Sequence, residues 1–263
     1  MSEEWQGYRP EIRGDKKKVV SDDGSLTLFS EEFGEAYHSP KDGALHESLT
    51  KHVKPAFDLQ QGKSSLKILD ICFGLGYNTF ATIHYVKTRK LPTKVHIVSP
   101  EFDEALVRSL KDFTYPPEFE DLRSIIEAIS NDFHYEDEQF KVEVLIGDAR
   151  ELLSQKTAHS FDIIYQDAFS PKVNPLLWTH EWFADIRAHC AEDAVLTTYS
   201  IAVATRMGLH ENGFVLHYFD APGIRRALIA SPQRIESLEW IDMALKIERN
   251  PSARSLRDSE LRQ

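Results

Sequence analysis

Hydrophobic and polar positions follow two different periods along this chain, and the alternation becomes regular from Leu66 onward. Short runs of branched apolar residues are typical of buried strands, whereas apolar residues that recur every three or four positions are typical of one helix face. The predicted strands are Leu66–Ile71, Lys94–Ser99, Val142–Ile146, Phe161–Gln166, Ala194–Ser200, Phe214–Phe219 and Arg226–Ala230. The predicted helices are Asn78–Thr88, Asp103–Phe113, Glu118–Asn131, Ala149–Ser154, Leu176–Ala191 and Val203–Asn212.

Strands that alternate with helices predict βαβ units, and hence an α/β fold whose sheet is doubly wound and mostly parallel. The last two of the seven strands leave no room for a helix between them, so we expect a terminal antiparallel hairpin. Such a sheet resembles the Rossmann-like class I methyltransferase fold, in which ligands bind at the carboxyl ends of the strands.

The first part of the chain is less regular than the rest. Ser25–Phe29 is predicted as a short strand and Gly43–Phe57 as a helix. We therefore expect an N-terminal extension over residues 1–63 and a regular α/β domain over residues 64–232. Residues 233–263 are expected to form a helix followed by a mobile basic tail.

Composition narrows the class of protein. The chain has 263 residues, of which 41% are hydrophobic, and its two cysteines, Cys72 and Cys190, lie far apart, so a disulfide framework is not expected. Apolar runs stay short of the roughly 20 residues that span a bilayer, and Met1–Pro10 lacks a signal segment. Eleven histidines show no H-x-x-H spacing. We expect a cytoplasmic protein with no membrane partner and no metal site.

The balance of charge argues against non-specific binding of nucleic acid. The chain carries 31 basic and 42 acidic residues, a net charge of −11, and such binding depends on the neutralisation of phosphates. The four C-terminal arginines leave room for one local positive face on an acidic protein; these are Arg249, Arg254, Arg257 and Arg262.

A glycine-bearing turn follows the first regular strand. Asp70 ends the strand, Gly74 and Gly76 lie in the turn, and the next helix begins at Asn78. Glycines let a ligand approach the backbone, and a helix N-terminus offers free N–H groups. The turn lacks the dinucleotide and P-loop spacings. It predicts either a ligand site or an ordinary tight turn.

Three acids follow the next three strands in order, which an ordinary turn does not explain. Glu101 stands where a carboxylate would bind ribose hydroxyls, and Asp148 where it would accept from an adenine amino group or simply cap the next helix. Asp167 ends the fourth strand, where it would face a substrate amine or cap a loop. Together they favour S-adenosylmethionine as the ligand.

The segment Asp167–Trp178 has the sequence DAFSPKVNPLLW. It resembles the D-x-F-x-P-x-x-N-P-x-x-W stretch of the MnmC-like family, the methyltransferases that complete 5-methylaminomethyl-2-thiouridine at the tRNA wobble position. Ser30–Ser39, followed by Gly43 and Glu47, is similar to the family's N-terminal segment, and Phe73–Asn78 to its F-G-x-G-x-N loop. The likeness extends from Ser25 to Ser231, and its C-terminal part rests on Gly208, Leu209, Gly213, Phe214, Gly223, Ile224, Arg225 and Arg226.

The resemblance implies a role for each matching residue. Asp167 would be the catalytic carboxylate, facing the aminomethyl nitrogen that receives the methyl group. Cofactor contacts are implied for Asp70, Phe73, Gly74, Gly76, Asn78, Glu101, Asp148, Ala149, Glu47 and Tyr37. The last two would close over the cofactor from the N-terminal extension, and residues 64–232 would form the methyltransferase domain. Substrate contacts are expected for Phe169, Pro171, Ser200, Arg225 and Arg226, although the two arginines also suit ordinary positions beside a strand.

Two departures from the family pattern affect these expectations. Cys72 replaces the usual first glycine of the loop. A cysteine is expected at this position only where the backbone avoids positive φ. Larger family members carry a flavin-dependent oxidase domain, and this chain, ending at Gln263, has no room for one. The expected partners are therefore a tRNA substrate and a separate flavin-dependent oxidase or another upstream tRNA-modifying enzyme.

Other interpretations stay open at this point. A small-molecule methyltransferase or an aminopropyltransferase would share the fold and an acid near the same strand end, and a non-catalytic RNA-binding scaffold is a third alternative. Trp178 and Trp182 lie four residues apart on one helix face. They suit either core packing or stacking on a base.

Overall fold

The computed structural model describes residues 16–155 and 160–261, so Met1–Pro10 and Arg262 lie outside the described part. Its strands form a small sheet and a large one. The small sheet contains β1 (Lys16–Val20), β2 (Leu26–Ser30) and β3 (Glu35–Ala36). The large sheet contains β4 (Ser65–Ile71), β5 (Lys94–Glu101), β6 (His134–Glu136), β7 (Phe140–Ile146), β8 (Phe161–Gln166), β9 (Cys190–Thr198), β10 (Val215–Phe219), β11 (Ala227–Ser231) and β12 (Glu239–Trp240).

The helices alternate with these strands. They are α1 (Ala44–Glu47), α2 (Lys54–Leu59), α3 (Tyr77–Thr88), α4 (Glu104–Ser109), α5 (Arg123–Asp132), α6 (Ala149–Gln155), α7 (His180–Ala188), α8 (Val203–Glu211), α9 (Met243–Arg249) and α10 (Asp258–Leu261). A π-helical turn, Ser48–Val53, joins α1 to α2. Across the described residues, none of the helices has the length and apolar character needed to cross a membrane.

The large sheet confirms the predicted fold class. Its strand order is β12-β10-β11-β9-β8-β4-β5-β7-β6. The strands from β4 to β9 pair in parallel, apart from β6, and β11 is antiparallel to both β9 and β10. The chain moves outward on one side of β4 and then on the other, which creates a crevice at the carboxyl ends of β4 and β8. β6 and β12 extend the predicted seven strands to nine.

The predicted helix Leu176–Ala191 is wrong in its boundaries. Residues Pro175–Trp178 form a separate 3₁₀ turn, and α7 begins after Thr179, whose hydroxyl accepts from the Trp182 N–H. A threonine at the N-cap satisfies a free amide of the first helical turn and so favours a new helix start. The helix ends before Cys190, where β9 begins.

Trp178 and Trp182 belong to the core. Their exposed fractions are 1% and 0%, which confirms packing rather than base stacking. The Trp182 Nε1–H donates to Oε1 of Gln166 at 3.0 Å, and the Trp178 Nε1–H donates to the carbonyl oxygen of Phe169 at 2.7 Å. Both bonds fix the chain on either side of Asp167, at the end of β8.

The N-terminal extension lies across the carboxyl ends of the large sheet. The Tyr77 hydroxyl donates to the Leu26 carbonyl oxygen at 2.7 Å, which ties β2 to the start of α3. Lys16 on β1 forms an ion pair of 2.5 Å with Asp103, just after β5. The small sheet therefore covers the edge at which a doubly wound fold binds its ligands.

The described part of the C-terminal segment contacts the domain through an ion pair and a β-bridge, and the mobility of the tail stays a prediction. The Arg150 guanidinium on α6 donates to both carboxylate oxygens of Asp258, at 2.7 and 2.6 Å. Leu256 forms a parallel bridge to Thr179. The Arg257 guanidinium donates to the Glu211 carboxylate on α8 at 2.7 Å. Asp258 and Arg257 thus find partners of opposite charge on distant helices, which the local sequence does not reveal.

We expect Asp258→Ala to release this segment. The substitution removes a bidentate, largely buried ion pair, and we expect the free energy of unfolding to fall by about 2 kcal/mol. Hydrogen exchange should accelerate in residues 250–261 more than in α8. The control is Arg254→Ala, because the Arg254 side chain is 81% exposed; equal exchange in Asp258→Ala and in this control would contradict the role of the ion pair.

Candidate active site

The loop after β4 has an unusual backbone. Cys72, Gly74 and Gly76 have φ values of 66°, 53° and 73°. The expectation that Cys72 avoids positive φ is therefore wrong. A non-glycine residue in this region costs roughly 1–2 kcal/mol, and the surrounding bonds hold it there, since the Phe73 N–H donates to the Pro100 carbonyl oxygen at 3.1 Å.

Both loop glycines are required by close neighbours. A Cβ at Gly76 would lie 2.5 Å from the ring of Phe80, and one at Gly74 would lie 3.1 Å from the ring of Tyr37. Tyr37, from the N-terminal extension, therefore lies against the loop, as expected for a residue that closes over it. Phe73 itself is 3% exposed and packs edge-on against Phe80.

Glu101 is joined directly to this loop. One of its carboxylate oxygens accepts from the Gly74 N–H at 2.8 Å and the other from the Asp103 N–H at 2.9 Å. Burial raises its pKa to about 7, against the opposing effect of these amides. The Phe102 backbone amide also lowers the pKa of Glu101. A carboxylate offers about four acceptor directions, so Glu101 keeps capacity to accept a hydroxyl group.

Asp148 caps α6. Its Oδ1 accepts from the N–H groups of Arg150 and Glu151, at 2.8 and 3.3 Å. The capping role raised by the sequence is thus present, and binding to an adenine amino group stays a prediction. Ala149 follows it and is 9% exposed.

One amide links two acids at the carboxyl ends of β4 and β8. The Asn78 Nδ2 group lies 2.9 Å from Oδ2 of Asp167 and 3.4 Å from Oδ1 of Asp70. The Thr79 hydroxyl donates to the other Asp70 oxygen at 2.8 Å. Asp70 is fully buried, and burial raises its pKa to about 7. It supports Asn78 from inside the core.

Asp167 lies between this amide and a buried histidine. Its Oδ1 is 3.4 Å from Nε2 of His52, and only 11% of its side chain is exposed. Burial opposes ionisation of Asp167, but the charge of His52, with smaller effects from His38 and Asn78, holds its pKa below the ordinary value. Asp167 is therefore a buried carboxylate that stays ionised.

Sequence reasoning missed His52. It lies in the π-helical turn and has no exposed surface, and its Nδ1 is 2.8 Å from the Thr197 hydroxyl on β9. A signal was present, because His52 falls on the apolar stripe formed by Leu45, Leu49 and Ala56. A polar residue on such a stripe has a buried partner, which here lies on another element.

An aromatic cluster and an acid join the N-terminal extension to the segment after Asp167. Phe169 stacks on Phe33 with ring centroids 4.5 Å apart and meets Tyr37 edge-on at 4.9 Å. The Glu35 carboxylate accepts from the N–H and the hydroxyl of Ser170, at 3.1 and 2.5 Å. Phe33 and Glu35 lie within the Ser30–Ser39 motif, which was the available signal for them.

Glu47 has both carboxylate oxygens engaged within the extension. Oε1 accepts from the Lys51 ammonium at 2.6 Å, and Oε2 accepts from the Ser39 N–H at 2.8 Å. Lys51 also binds Asp42 at 2.8 Å. Glu47 therefore stabilises the fold of the extension, and its contact with a cofactor stays a prediction.

The expected substrate residues are divided between two places. Pro171 directly follows the segment held by Glu35, and Ser200 is 6% exposed, 2.9 Å from the Thr205 hydroxyl. Arg225 and Arg226 are exposed. Arg226 binds Asp220 at 3.0 Å, so its guanidinium is already paired beside β10.

The arrangement can bind an amine beside a ligand loop. An ionised carboxylate with one protein donor near each oxygen can accept N–H groups and balance a positive charge. Within residues 16–155 and 160–261, His, Cys, Asp and Glu form no group of three or more that could hold a metal ion. The groups that this site offers to a ligand are the buried acids, the amides of the loop and the aromatic cluster.

Comparisons with known proteins show similarity to S-adenosylmethionine-dependent methyltransferases. A family model described as S-adenosyl-L-methionine-dependent methyltransferase matches residues 120–233. The crystal structure of MnmC2 from Aquifex aeolicus has 30% sequence identity and a TM-score of 0.81, over 97% of this chain and 83% of that one. An uncharacterized protein of Methanocaldococcus jannaschii is 30% identical over 250 residues, which cover 90% of this chain and 67% of that protein.

The bifunctional protein MnmC of Azoarcus sp., named for tRNA 5-methylaminomethyl-2-thiouridine biosynthesis, is 31% identical over 211 residues. That match covers 75% of this chain and 32% of the relative, so the chain spans about a third of the length of such bifunctional relatives.

We expect Glu101→Gln to change how stability depends on pH. Because burial raises the pKa of Glu101 from 4.5 to about 7, the folded wild-type protein binds more protons than the unfolded chain between these values. This difference makes the free energy of unfolding fall as pH rises, by about 1 kcal/mol per pH unit. The variant should lose that contribution in denaturant titrations without cofactor at pH 5, 6 and 7.

The matched control is Glu104→Gln, at an exposed position on α4. If Glu101→Gln and wild type keep parallel pH profiles, the proposed protonation of Glu101 is wrong.

Proposed function

Since this chain belongs to the MnmC-like family of S-adenosylmethionine-dependent methyltransferases, we propose that it methylates the aminomethyl nitrogen of 5-aminomethyl-2-thiouridine at the tRNA wobble position. The product is 5-methylaminomethyl-2-thiouridine. The observation that carries the proposal is the ionised, nearly buried carboxylate of Asp167. It lies beside the glycine loop and next to the stacked rings of Phe33 and Phe169, which we call the aromatic wall. A carboxylate in that state suits an amine nucleophile.

The residues around the loop fit the cofactor. Asn78 Oδ1 is a buried acceptor that has no partner among the described residues, which suits the cationic amino group of S-adenosylmethionine. Glu101 would accept from the ribose hydroxyls and Asp148 from the adenine amino group. When bound, the cofactor supplies a methyl group on a positively charged sulfur. Gly74, Gly76, Phe73, Tyr37, Ala149, Asp70 and Glu47 complete the proposed cofactor set.

Asp167 would orient the substrate amine. Its two oxygens, held near Asn78 and His52, keep free acceptor directions for amine N–H groups. Holding the nitrogen lone pair in line with the methyl group supplies much of the rate of a displacement reaction. Asp167 would also accept the proton that the amine must lose before it can attack.

The aromatic wall suits a planar base. Phe33 and Phe169 are only partly buried, and their stacked rings lie beside the segment that carries Asp167. An enzyme that modifies a base needs that base unstacked and held in a pocket, and aromatic stacking of this kind contributes about 1–3 kcal/mol per base. Pro171 and Ser200 would line the same pocket.

Because the protein is acidic, few basic residues are available to contact phosphates. Arg225 is exposed, and Lys172, next to Pro171, is exposed as well. With a net charge of −11, we expect RNA binding to rest on a few such residues and on the base pocket, and to depend weakly on salt. The reaction consumes a primary amine, so we propose that a separate flavin-dependent oxidase or another upstream tRNA-modifying enzyme supplies it.

We expect Glu101 to be needed for cofactor binding and Asp167 for turnover. By calorimetry, Glu101→Ala should weaken S-adenosylmethionine binding at least tenfold, because it removes the acceptor for the ribose hydroxyls. Asp167→Asn should leave that affinity within threefold and reduce turnover at least a hundredfold, since the amide neither balances an ammonium nor accepts a proton. Equal losses of affinity in both variants would contradict the division of roles.

The substrate is tested with tRNA from cells that lack this activity. The tRNA is incubated with wild-type protein and methyl-labelled cofactor, then digested to nucleosides. We expect label in 5-methylaminomethyl-2-thiouridine alone, because only that base offers the required amine. Asp167→Asn serves as the control for background transfer.

Label in polyamines or other small amines, with none in the nucleoside, would favour a small-molecule methyltransferase instead. Transfer of an aminopropyl group rather than a methyl group would favour an aminopropyltransferase. Cofactor-independent binding of tRNA without any transfer would favour a non-catalytic scaffold.

A further inference from the structure

His52 has a buried polar environment that the roles above leave unexplained. Its imidazole has no exposed surface, and its two nitrogens face two different elements. Nδ1 lies 2.8 Å from the Thr197 hydroxyl on β9, and Nε2 lies 3.4 Å from Asp167 Oδ1 at the end of β8. Nε2 forms no hydrogen bond of ordinary length within the described residues. A buried polar group of this kind is costly unless its charge or proton is used.

The π-helical turn brings His52 to this place. A π turn has a wider repeat than an α-helix and is frequent at functional sites. Pro55, at the start of α2, lacks an N–H and so interrupts the α-helical hydrogen bonds just after the turn. The ring is held from the side by Tyr165, edge-on at 5.7 Å. Its orientation is therefore fixed by contacts with β9, with β8 and with the residue that follows β8.

We propose that His52 is a positioning residue which fixes the charge and orientation of Asp167, so that Asp167 can bind the amine and accept the proton that it loses during methylation. This inference rests on the proposed function, because it assigns His52 a part in the same reaction.

The proton and electron balance is complete within the site. The amine enters as an ammonium group, and one N–H proton passes to the carboxylate of Asp167, while the bonding pair stays on nitrogen. That pair forms the new N–C bond as the C–S bond breaks and its pair leaves with sulfur. The product is a methylated ammonium, and the proton on Asp167 returns to solvent after release.

Without the imidazole of His52, the surroundings of Asp167 would favour its protonated form. Burial alone would favour the protonated acid, and the neighbouring carboxyl of Asp70 would do so further, whereas His52 lowers the pKa of Asp167. His38 has the same effect to a smaller extent, although burial lowers its own pKa. The other titratable groups that interact with Asp167 or these histidines are Cys72, Tyr199, Glu47 and Asp23.

The test compares wild type with His52→Gln over pH 5.5–9, using the aminomethyl-containing tRNA. Glutamine keeps an N–H donor of similar size but takes up no proton. We expect kcat to fall about 10- to 100-fold, with the KM for tRNA and the affinity for the cofactor within threefold. Without the imidazole, burial raises the pKa of Asp167. The acid limb of the pH profile of kcat/KM should therefore move to higher pH, by about one unit.

Two further variants separate chemistry from folding. Thr197→Val removes only the partner of Nδ1 and should shift the limb in the same direction by a smaller amount. His134→Gln, on the exposed edge strand β6, is the matched control and should behave as wild type. A uniform loss at every pH, with an unmoved acid limb in both His52→Gln and Thr197→Val, would overturn the proposal in favour of a structural role.

Failure of the proposed function is recognised separately. If wild type transfers no methyl group to the tRNA, the titration of Asp167 is followed without substrate, by carbon NMR of ¹³C-aspartate-labelled protein with Asp167→Asn as the assignment control. An upward shift of that titration in His52→Gln supports the pairing of His52 with Asp167. An unchanged titration overturns it, whatever the substrate is.

Discussion

The site depends on keeping one nearly buried carboxylate ionised. An ionised carboxyl group away from water costs several kcal/mol unless charge or hydrogen bonds compensate. Three acids at this sheet edge meet that constraint differently: the pKa values of Asp70 and Glu101 rise to about 7, whereas that of Asp167 falls. The difference is the imidazole of His52. Acids whose environments separate their pKa values in this way can take different roles in one site.

The N-terminal extension supplies the parts that make this carboxylate useful. The large sheet alone provides Asp167 and, through α3, Asn78, but His52 comes from the π-helical turn of the extension. Glu35 binds the segment that follows Asp167, and Phe33 supplies half of the aromatic wall. Removing the extension would therefore leave a fold able to carry the loop but unable to control the charge of its acid.

The sequence was sufficient where a feature depends on local pattern or strand order. Glu101, Asp148 and Asp167 follow successive parallel strands, and the carboxyl ends of such strands meet at one edge, so their proximity was predictable. His52 was not, since its partners, Asp167 and Thr197, are distant in the chain. Cys72 was misjudged because its unfavourable φ costs little against the bonds that shape the loop.

The same argument explains why an amine is the suitable nucleophile. A carboxylate with a lowered pKa is too weak a base to activate a hydroxyl group, but it binds an ammonium group well. Once the ammonium is bound, one of its protons has to leave before nitrogen can attack, and an ionised Asp167 can accept it. The charge of His52 keeps Asp167 ionised although its side chain is nearly buried. Accepting the proton and keeping the acceptor ionised are then separate tasks, carried by two side chains from two parts of the fold.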